Sequence, residues 1–458
     1  MSPFSGARPL LFGLGLATLA GCVTPPISAN VSAVLAGPGS ESAQGASSGP
    51  STSLGGLRGR ASSFPDGPRL DDLAVAALAV HNSPALKAAR AQAGVADAQV
   101  FAVGLAPDPQ LQLSFDHPTN FVGFDAMGAT VGLDFLTSMF TRHGQLSRAR
   151  AEALRVRDEI AWTEWTTAVQ ARDATLRVIY LRQQVAVAQS AVDQTTRQLR
   201  AFEAAVNAGD ARLDDLAIRR VGFLDAEDRL RVLERDLAIA LSELRGHIGV
   251  APDEDIPLVD TLIPREPGAL DAAALFERAV ARRRDLAALR AGYDANEASL
   301  RHARLAGLPL PNLSLSRARD TSNVQTTGGG LSLVLPIWNR GRGDIAVARA
   351  TRAQLQAEYA ARIFQTRSDI AAQVDALERI AARRVQLDAE IDALSHEAEI
   401  LGAASERGDV SSVVYETTRA SLLDKRLASI ALTAAQGQGE AALEGLVGGL
   451  IWRGAELR

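Results

Sequence analysis

The stretches PQLQLSFD at 109–116 and PNLSLS at 311–316 are two copies of one pattern, 202 residues apart. In each, apolar residues alternate with polar ones, which is typical of a strand with one apolar and one polar face. Residues 130–135 and 331–335 alternate in the same way. The sequence therefore predicts four strands in two hairpins, at about 110–116 and 129–136 and at about 311–317 and 329–336.

The duplication extends well beyond these strands. Leu70-Asp71 matches Leu270-Asp271 at an offset of 200 residues, and Gly209-Asp210 matches Gly408-Asp409 at an offset of 199. Each copy predicts two shorter helices, two strands, and a long helix with a return helix. The chain accordingly divides into repeat one (69–250, helical hairpin 143–249), a Pro-rich joint (251–269), repeat two (270–450, helical hairpin 342–447) and a tail (451–458).

The predicted long helices carry heptads. Between Ala171 and Val206, apolar residues alternate spacings of three and four over five heptads, which is the pattern of coiled-coil packing. The second copy repeats the pattern between Leu377 and Leu401, with Arg384 interrupting it. A helix of this length extends for roughly 100 Å at 1.5 Å per residue. Such reach exceeds what a compact globular domain needs.

The N-terminus has the features of a secretory signal. Residues 1–21 hold one basic residue before a short apolar stretch, and the segment Leu19-Ala20-Gly21-Cys22 resembles a bacterial lipobox. Cys22 is then the acylated first residue of the mature chain; an incidental thiol after an ordinary signal peptide is the alternative. Val23 at the next position favours sorting to the outer membrane by the same resemblance. Residues 22–68, rich in Ser, Gly, Pro and Ala, predict an acylated flexible tether.

Composition argues against several functions. A single cysteine excludes a disulfide framework or a Cys-rich metal site, and the six histidines are scattered, so we expect no metal centre and no cofactor. The net charge of −5, without a basic block, argues against a nucleic-acid partner. We find no hydrolase, metalloprotease or phosphate-loop motif, so we expect no catalytic residues and no enzyme.

The four strands fit either an ordinary half-buried sheet or a wall between lipid and water. Lipid tolerates no unpaired sheet edge, so a wall in a membrane must close into a barrel. Transmembrane barrels have about eight or more strands. A chain with four strands must therefore share one barrel with other copies of itself.

The lipobox, the duplication, the strand hairpins and the long helical hairpins together resemble the TolC-like outer membrane efflux family. Two segments carry the resemblance most specifically. Leu335-Pro336-Ile337-Trp338-Asn339-Arg340-Gly341-Arg342-Gly343 is similar to the strand-to-helix segment of its heavy-metal branch, and Asn82-Ser83-Pro84-Ala85-Leu86 to its helix-start motif. The first copy departs from this pattern, with Leu136-Thr137-Ser138-Met139 in place of the Pro-Ile-Trp run.

The resemblance implies a mainly α fold class with a β-barrel part. It implies a homotrimer, whose twelve-stranded barrel, four strands per chain, lies in outer-membrane lipid and is continued by a long α-helical coiled-coil barrel in the periplasm. It further implies two protein partners, a periplasmic adaptor (membrane fusion protein) and an inner-membrane pump of the resistance–nodulation–division (RND) type.

Roles for individual residues follow as hypotheses. Loops 117–127 and 319–328 are expected at the extracellular mouth. The turns are expected at the periplasmic tips, in contact with the adaptor: Gly209, Asp210, Gly408 and Asp409. Just beyond the tips are three acidic residues that are candidates for a pore gate, because a trimer makes each of them a ring of three: Asp214, Asp215 and Glu416. For all of these acidic residues, at the tips and beyond them, a place at a helix N-terminus as caps or first-turn acids is the alternative.

The resulting functional hypothesis is a passive duct that exports metal cations or small toxic compounds and drugs. Two alternatives remain at this point, the outer-membrane duct of a type I protein secretion system and a non-channel, structural coiled-coil lipoprotein.

Overall fold

The computed structural model describes residues 69–117, 119, 124–133, 135–262 and 270–452. The predicted signal peptide at 1–21, Cys22 and the tether at 22–68 lie outside the described residues, as do 263–269 of the joint and 453–458 of the tail.

The two repeats have the same order of elements, mostly helices with four strands, so the predicted fold class of the chain is confirmed. Repeat one contains α1 (Asp72–Asn82), α2 (Pro84–Gly104), β1 (Gln110–Asp116), β2 (Ala126–Leu133), α3 (Phe135–Ala208) and α4 (Leu213–Ile248). Repeat two contains α5 (Ala272–Arg282), α6 (Arg284–Ala306), β3 (Pro311–Arg319), β4 (Gln325–Leu333), α7 (Arg342–Glu406) and α8 (Ser412–Val447).

Two strands begin and end earlier than the sequence pattern predicts. β2 spans 126–133 rather than 129–136, and β4 spans 325–333 rather than 329–336. The ladders explain the difference, since β1 begins opposite Gly132 and β3 begins opposite Leu333. Apolar alternation continues past these points into Phe135 and Leu335, but Phe135 already begins α3, eight residues before the predicted start of that helix.

Local signals fix the ends of several helices. The carboxylate of Asp71 accepts a hydrogen bond from the Ala74 N–H at the start of α1, and Asp271 does the same for Ala273 at the start of α5. The return helices α4 and α8 both end at glycines in the left-handed conformation, Gly249 and Gly448.

The long helices α3 and α7 pack through the predicted heptads. All eleven heptad positions between Ala171 and Val206 are buried or half-buried, as are those between Leu377 and Leu401, so the heptad prediction is confirmed. Arg384, which interrupts the second pattern, donates to the amide oxygen of the buried Gln436 on α8. With 74 residues, α3 is about 110 Å long. None of the described helices is both long and apolar enough to cross a membrane.

Each repeat has its own apolar core where its short helices meet its hairpin. In repeat one, Ile256 and Leu258 of the joint belong to this core, and Leu258 forms a parallel bridge with Leu70. The joint between the repeats is therefore held in place over residues 256–259 by packing and backbone hydrogen bonds. The core of repeat two is formed by residues of α5, α7 and α8: Leu275, Ala279, Ile370, Val374, Leu377, Leu443 and Val447.

Ion pairs join the elements around these cores. One buried network crosses between the repeats: Arg172 on α3 contacts Asp72 at 2.9 Å and Glu444 on α8 at 2.6 Å, and all three side chains are at most 12% exposed. Nearer the surface, Glu390 on α7 accepts hydrogen bonds from Arg383 and from Lys425 of α8. These bonds to two cationic side chains lower the pKa of Glu390 to about 2.

Candidate functional site

The four strands form a single antiparallel sheet in the order β1-β2-β3-β4. The two hairpins are joined through β2 and β3, which pair from Leu133 opposite Leu313 to Met127 opposite Arg319. Within the described residues, β1 pairs only with β2 and β4 only with β3. The repeats thus build one continuous wall with two open edges.

One face of this wall is apolar and exposed. Residues directly opposite each other in an antiparallel pair point to the same face, so the register assigns each side chain to a face. Leu111 at 64% and Phe115 at 69% exposure illustrate how open this apolar face is in the single chain. The apolar face includes residues from all four strands: Leu111, Leu113, Phe115, Met127, Val131, Leu313, Leu315 and Leu331. A contiguous apolar patch of this kind marks a surface that meets lipid or another protein.

The other face, here called the polar face, carries small and polar residues. The residues on it include Gln110, Gln112, Ser114, Gly128, Thr130, Gly132, Ser314, Ser316, Gly328 and Gly330. A Cβ on Gly128 would lie 2.5 Å from the hydroxyl oxygen of Ser114, and a Cβ on Gly330 would lie 2.6 Å from that of Ser314. The glycines therefore make room for the serines, and the predicted division into an apolar and a polar face is confirmed.

At one end of the wall are the two loops predicted at the mouth. Because β3 extends to Arg319 and β4 begins at Gln325, the second loop is 320–324, shorter than the predicted 319–328. The first loop joins the second through the Phe124 N–H, which donates to the carbonyl oxygen of Thr321 at 3.0 Å.

At the other end of the wall, the two repeats continue into their long helices differently. In repeat one a single residue separates β2 from α3, so Leu136-Thr137-Ser138-Met139 is helical. In repeat two, residues 334–341 lie between β4 and α7. There Gly341 has φ +68°, and a Cβ on it would lie 2.7 Å from the carbonyl oxygen of Ala303, so the close approach to α6 requires glycine. Trp338 is 87% exposed and does not pack in the core of its own chain.

The tips of both helical hairpins have the geometry that their Gly-Asp sequences predict. Gly209 has φ +85° and Gly408 has φ +78°. The Asp210 N–H donates to the carbonyl oxygen of Ala205, and the Asp409 N–H donates to that of Ala404, both at 2.9 Å. These are the bonds of a helix that ends in a left-handed glycine. The side chains of both aspartates are exposed at the turns.

Neither tip aspartate caps the helix that follows. The N-cap residue of α4 is Arg212, and that of α8 is Ser411, whose hydroxyl accepts a hydrogen bond from the Val413 N–H. Asp409 instead accepts a hydrogen bond from Nε of Arg407 at 2.9 Å. The alternative that Asp210 and Asp409 serve as helix caps is therefore wrong, whereas Asp214 and Asp215 do lie in the first turn of α4.

The three gate candidates occupy different environments. Asp214 is exposed and forms a bidentate pair with Arg212, at 3.0 and 2.7 Å. The hydrogen bonds from Arg212 lower the pKa of Asp214, so it is a carboxylate at neutral pH. Asp215, by contrast, accepts a hydrogen bond from the hydroxyl of the buried Ser412 on α8 at 2.5 Å.

Glu416 is the most enclosed of the three. It lies between Arg219 of α4 at 3.1 Å and Arg419 of α8 at 3.6 Å, and only 13% of its side chain is exposed. The Arg219 guanidinium also lies 4.1 Å from the centroid of the Phe202 ring. The structure thus brings Asp215 and Glu416 together as links between α4 and α8, and leaves Asp214 on the surface.

The partners Arg219 and Arg419 were not identified from the sequence. In the sequence they are two of many arginines on helix faces, and Arg219 is 197 residues from Glu416.

Comparisons with known proteins agree with this architecture. Residues 275–449 match the family model of the outer membrane efflux protein. No curated protein matches the chain significantly in sequence.

Solved structures share the fold over most of the chain. CusC, studied for its conformational changes during folding and transmembrane channel formation, has a TM-score of 0.70 at 16% identity over 84% of this chain and 96% of its own. The outer membrane protein VceC of Vibrio cholerae has a TM-score of 0.68 at 17% identity over 82% and 95%. The MtrE outer membrane channel of Neisseria gonorrhoeae, in its open state, has a TM-score of 0.68 at 16% identity over 82% and 89%. This chain therefore has the fold of solved outer-membrane channels, and residues 275–449 of its second repeat match the outer membrane efflux proteins, as the resemblance predicted.

Proposed function

We propose that three copies of this chain form an outer-membrane channel that is the passive exit duct of a tripartite efflux system. The observation that carries the proposal is the four-stranded wall with an exposed apolar face and two open edges. In lipid, the unpaired backbone groups of each edge must find partners. If β4 of one chain pairs with β1 of the next, three chains close a barrel of twelve strands, which is within the known range.

The two faces of the wall then have different surroundings. The apolar face meets outer-membrane lipid, and the polar face lines the lumen. Side chains on the polar face, such as Ser314, Ser316 and the glycines opposite them, are small, which supports an open bore rather than a filled barrel core.

The helical hairpins continue this wall as a coiled-coil barrel that extends about 100 Å into the periplasm. The exposed turns at their far ends are the surfaces offered to a periplasmic adaptor: Gly209, Asp210, Gly408 and Asp409. The match of residues 275–449 to outer membrane efflux proteins supports a passive duct, and in this proposal an inner-membrane pump supplies the energy for transport.

Asp214, Asp215 and Glu416 are the candidate gate, with two different roles. Asp214 provides an exposed ring of three carboxylates, each partly neutralised by its own Arg212. Asp215 and Glu416 hold α4 against α8 through Ser412 and Arg219. Separating the two hairpins at the tip breaks both links.

The cargo is proposed to be metal cations or small toxic compounds and drugs, and the pump to be of the RND type. The similarity of residues 335–343 to the heavy-metal branch supports this choice over a type I protein secretion duct. A strain that lacks the chain distinguishes the two: hypersensitivity to metal salts or drugs supports efflux, and loss of one secreted protein without hypersensitivity supports secretion.

Anchoring by an acylated Cys22 rests on the lipobox sequence alone. Radiolabelled palmitate is expected to label the wild-type chain and not the Cys22→Ala variant. Equal labelling of both would contradict the anchor.

The channel itself is tested by mass and by conductance. Detergent-solubilised protein is expected at about three times the chain mass of 48.3 kDa and to conduct ions in a planar bilayer. Single copies that conduct ions would refute shared closure, and a water-soluble, all-helical extract would support the structural lipoprotein.

A further inference from the structure

Two arginines lie on the apolar face of the wall. Arg317 is directly opposite Ala129, and Arg319 is directly opposite Met127. The register therefore places both on the same face as Leu313 and Leu315 of their own strand. Residues two apart on a strand lie about 7 Å from each other, so the two arginines are neighbours on this face.

Both arginines lie at the loop end of the wall, where the apolar face ends. Their partners across β4 are Thr327 and Gln325, both polar, whereas Leu313 has Leu331 opposite it. With the tips of the helices in the periplasm, as proposed above, this end faces the cell exterior. Arg317 and Arg319 then lie at the level of the headgroups in the outward-facing leaflet.

The contacts of these arginines are with neutral oxygens. Arg317 donates to the side-chain amide oxygen of Gln325 at 3.2 Å, and Arg319 donates to the main-chain carbonyl oxygen of Asp125 at 3.3 Å. Over the described part of the wall and its loops, no carboxylate forms an ion pair with either of them; the Asp125 carboxylate is engaged by His117 at 2.6 Å. A guanidinium has five N–H donors, so each arginine has donors beyond the one hydrogen bond described above.

From this placement we propose that Arg317 and Arg319 bind the phosphate groups of a phosphorylated glycolipid in the outward-facing leaflet, one site on each chain. The proposal rests on the proposed channel function, which sets the orientation of the wall. Arginine recognises phosphate by paired, charge-assisted hydrogen bonds, and the exposed leucines below it accept acyl chains. Arg317 reaches toward Gln325 on β4 and Arg319 toward Asp125 beside β2, so the two guanidinium groups offer two separate contacts. Two such contacts favour a headgroup with more than one phosphate, which is why we assign a bisphosphorylated glycolipid rather than a phospholipid.

The test uses full-length protein, stripped of lipid in detergent, with binding measured by native mass spectrometry. The probes are lipid A with two phosphates, dephosphorylated lipid A, and phosphatidylglycerol. The wild-type oligomer is expected to bind up to three molecules of lipid A. We expect at least tenfold weaker binding of dephosphorylated lipid A and phosphatidylglycerol.

The matched variants remove the same charge from different places. Arg317→Gln with Arg319→Gln is expected to weaken lipid A binding at least tenfold, whereas Arg197→Gln with Arg200→Gln, two exposed arginines of α3, is expected to change it less than twofold. If the first double variant does not assemble, the single variants are each expected to lose two- to fourfold.

Several results would overturn the assignment. Unchanged binding by the Arg317 and Arg319 variants would remove the site, and equal binding of dephosphorylated lipid A would remove the phosphate contact. Equal binding of phosphatidylglycerol would make the occupant a phospholipid. Oligomer mass and conductance in a bilayer free of lipid A report on the channel separately, because the arginines lie outside the lumen and their variants should conduct normally.

Discussion

Replacing Leu113 with arginine tests which solvent the apolar face meets. Leu113 lies in the middle of β1, opposite Ala129, and is 56% exposed in the single chain. If that face meets lipid, an arginine near the middle of the bilayer costs about 2–4 kcal/mol per chain. A trimer carries three copies, so the total is about 6–12 kcal/mol. If the face meets water, an exposed substitution changes the free energy of unfolding by no more than about 0.5 kcal/mol.

Gln112→Arg is the matched control. Gln112 is the preceding residue of the same strand and lies on the polar face, opposite Thr130. The introduced side chain is identical, but in the proposed channel it projects into a water-filled lumen. This variant should assemble like the wild type and conduct with a reduced preference for cations, since it adds a ring of three positive charges.

The two variants are compared by the amount of folded oligomer in outer-membrane fractions and by urea unfolding of the oligomer in lipid vesicles. Leu113→Arg should lower both the yield and the urea midpoint strongly. If Leu113→Arg and Gln112→Arg behave alike, the faces do not meet lipid and water, and the sheet is an ordinary solvent-exposed one.

Three further predictions concern the helices. Arg172→Met leaves two buried carboxylates without their cation and should lower the free energy of unfolding in urea by about 3–5 kcal/mol. Arg177→Met, which breaks only an exposed pair with Glu243, should lower it by about 0–1 kcal/mol. Equal losses of stability in the two variants would contradict the role of the buried network. Because the folded-state pKa of Glu390 is lowered to about 2 from an ordinary 4.5, its contribution to stability is present above pH 4.5 and is lost as pH falls towards 2. Glu390→Gln should therefore make the thermal unfolding midpoint less dependent on pH over that window. An unchanged dependence of the midpoint on pH would show that the pairing is absent in solution. Asp214→Ala with Asp215→Ala should alter single-channel conductance or cation selectivity, and no change in either would remove the carboxylate ring from the gate.

The faces of the wall were predictable because strand alternation is a local property. Leu111 and Leu113 stand out from Gln110 and Gln112 without any knowledge of their partners, and the same pattern 202 residues later identifies the second hairpin. The Gly-Asp tips were predictable for a similar reason, since a left-handed turn favours glycine whatever surrounds it.

Features that depend on distant partners were not predictable. β2 ends at Leu133 because β1 begins opposite Gly132, so Phe135 extends the alternating pattern yet belongs to a helix. The environment of Glu416 is set by Arg219, which the fold brings close from 197 residues away. The sequence pattern predicts which face of each strand or helix is apolar. The ends of the strands and the ion pairs between the repeats depend on contacts that form only in the folded chain.

The unequal passages from sheet to helix have a mechanical consequence. In repeat one, a single residue connects strand β2 to helix α3. In repeat two, eight residues, 334–341, connect strand β4 to helix α7. Each added residue brings two rotatable backbone dihedrals, so in the proposed ring of three chains a one-residue connection alternates with an eight-residue one. If the α-helical barrel of the trimer were to untwist, the helical hairpins of repeat one would rotate together with the β-barrel. The helical hairpins of repeat two would rotate relative to the β-barrel. A ring built from six copies of either repeat alone would have identical connections throughout, so in the proposed trimer the divergence of the two halves makes the connections to the helical tube unequal.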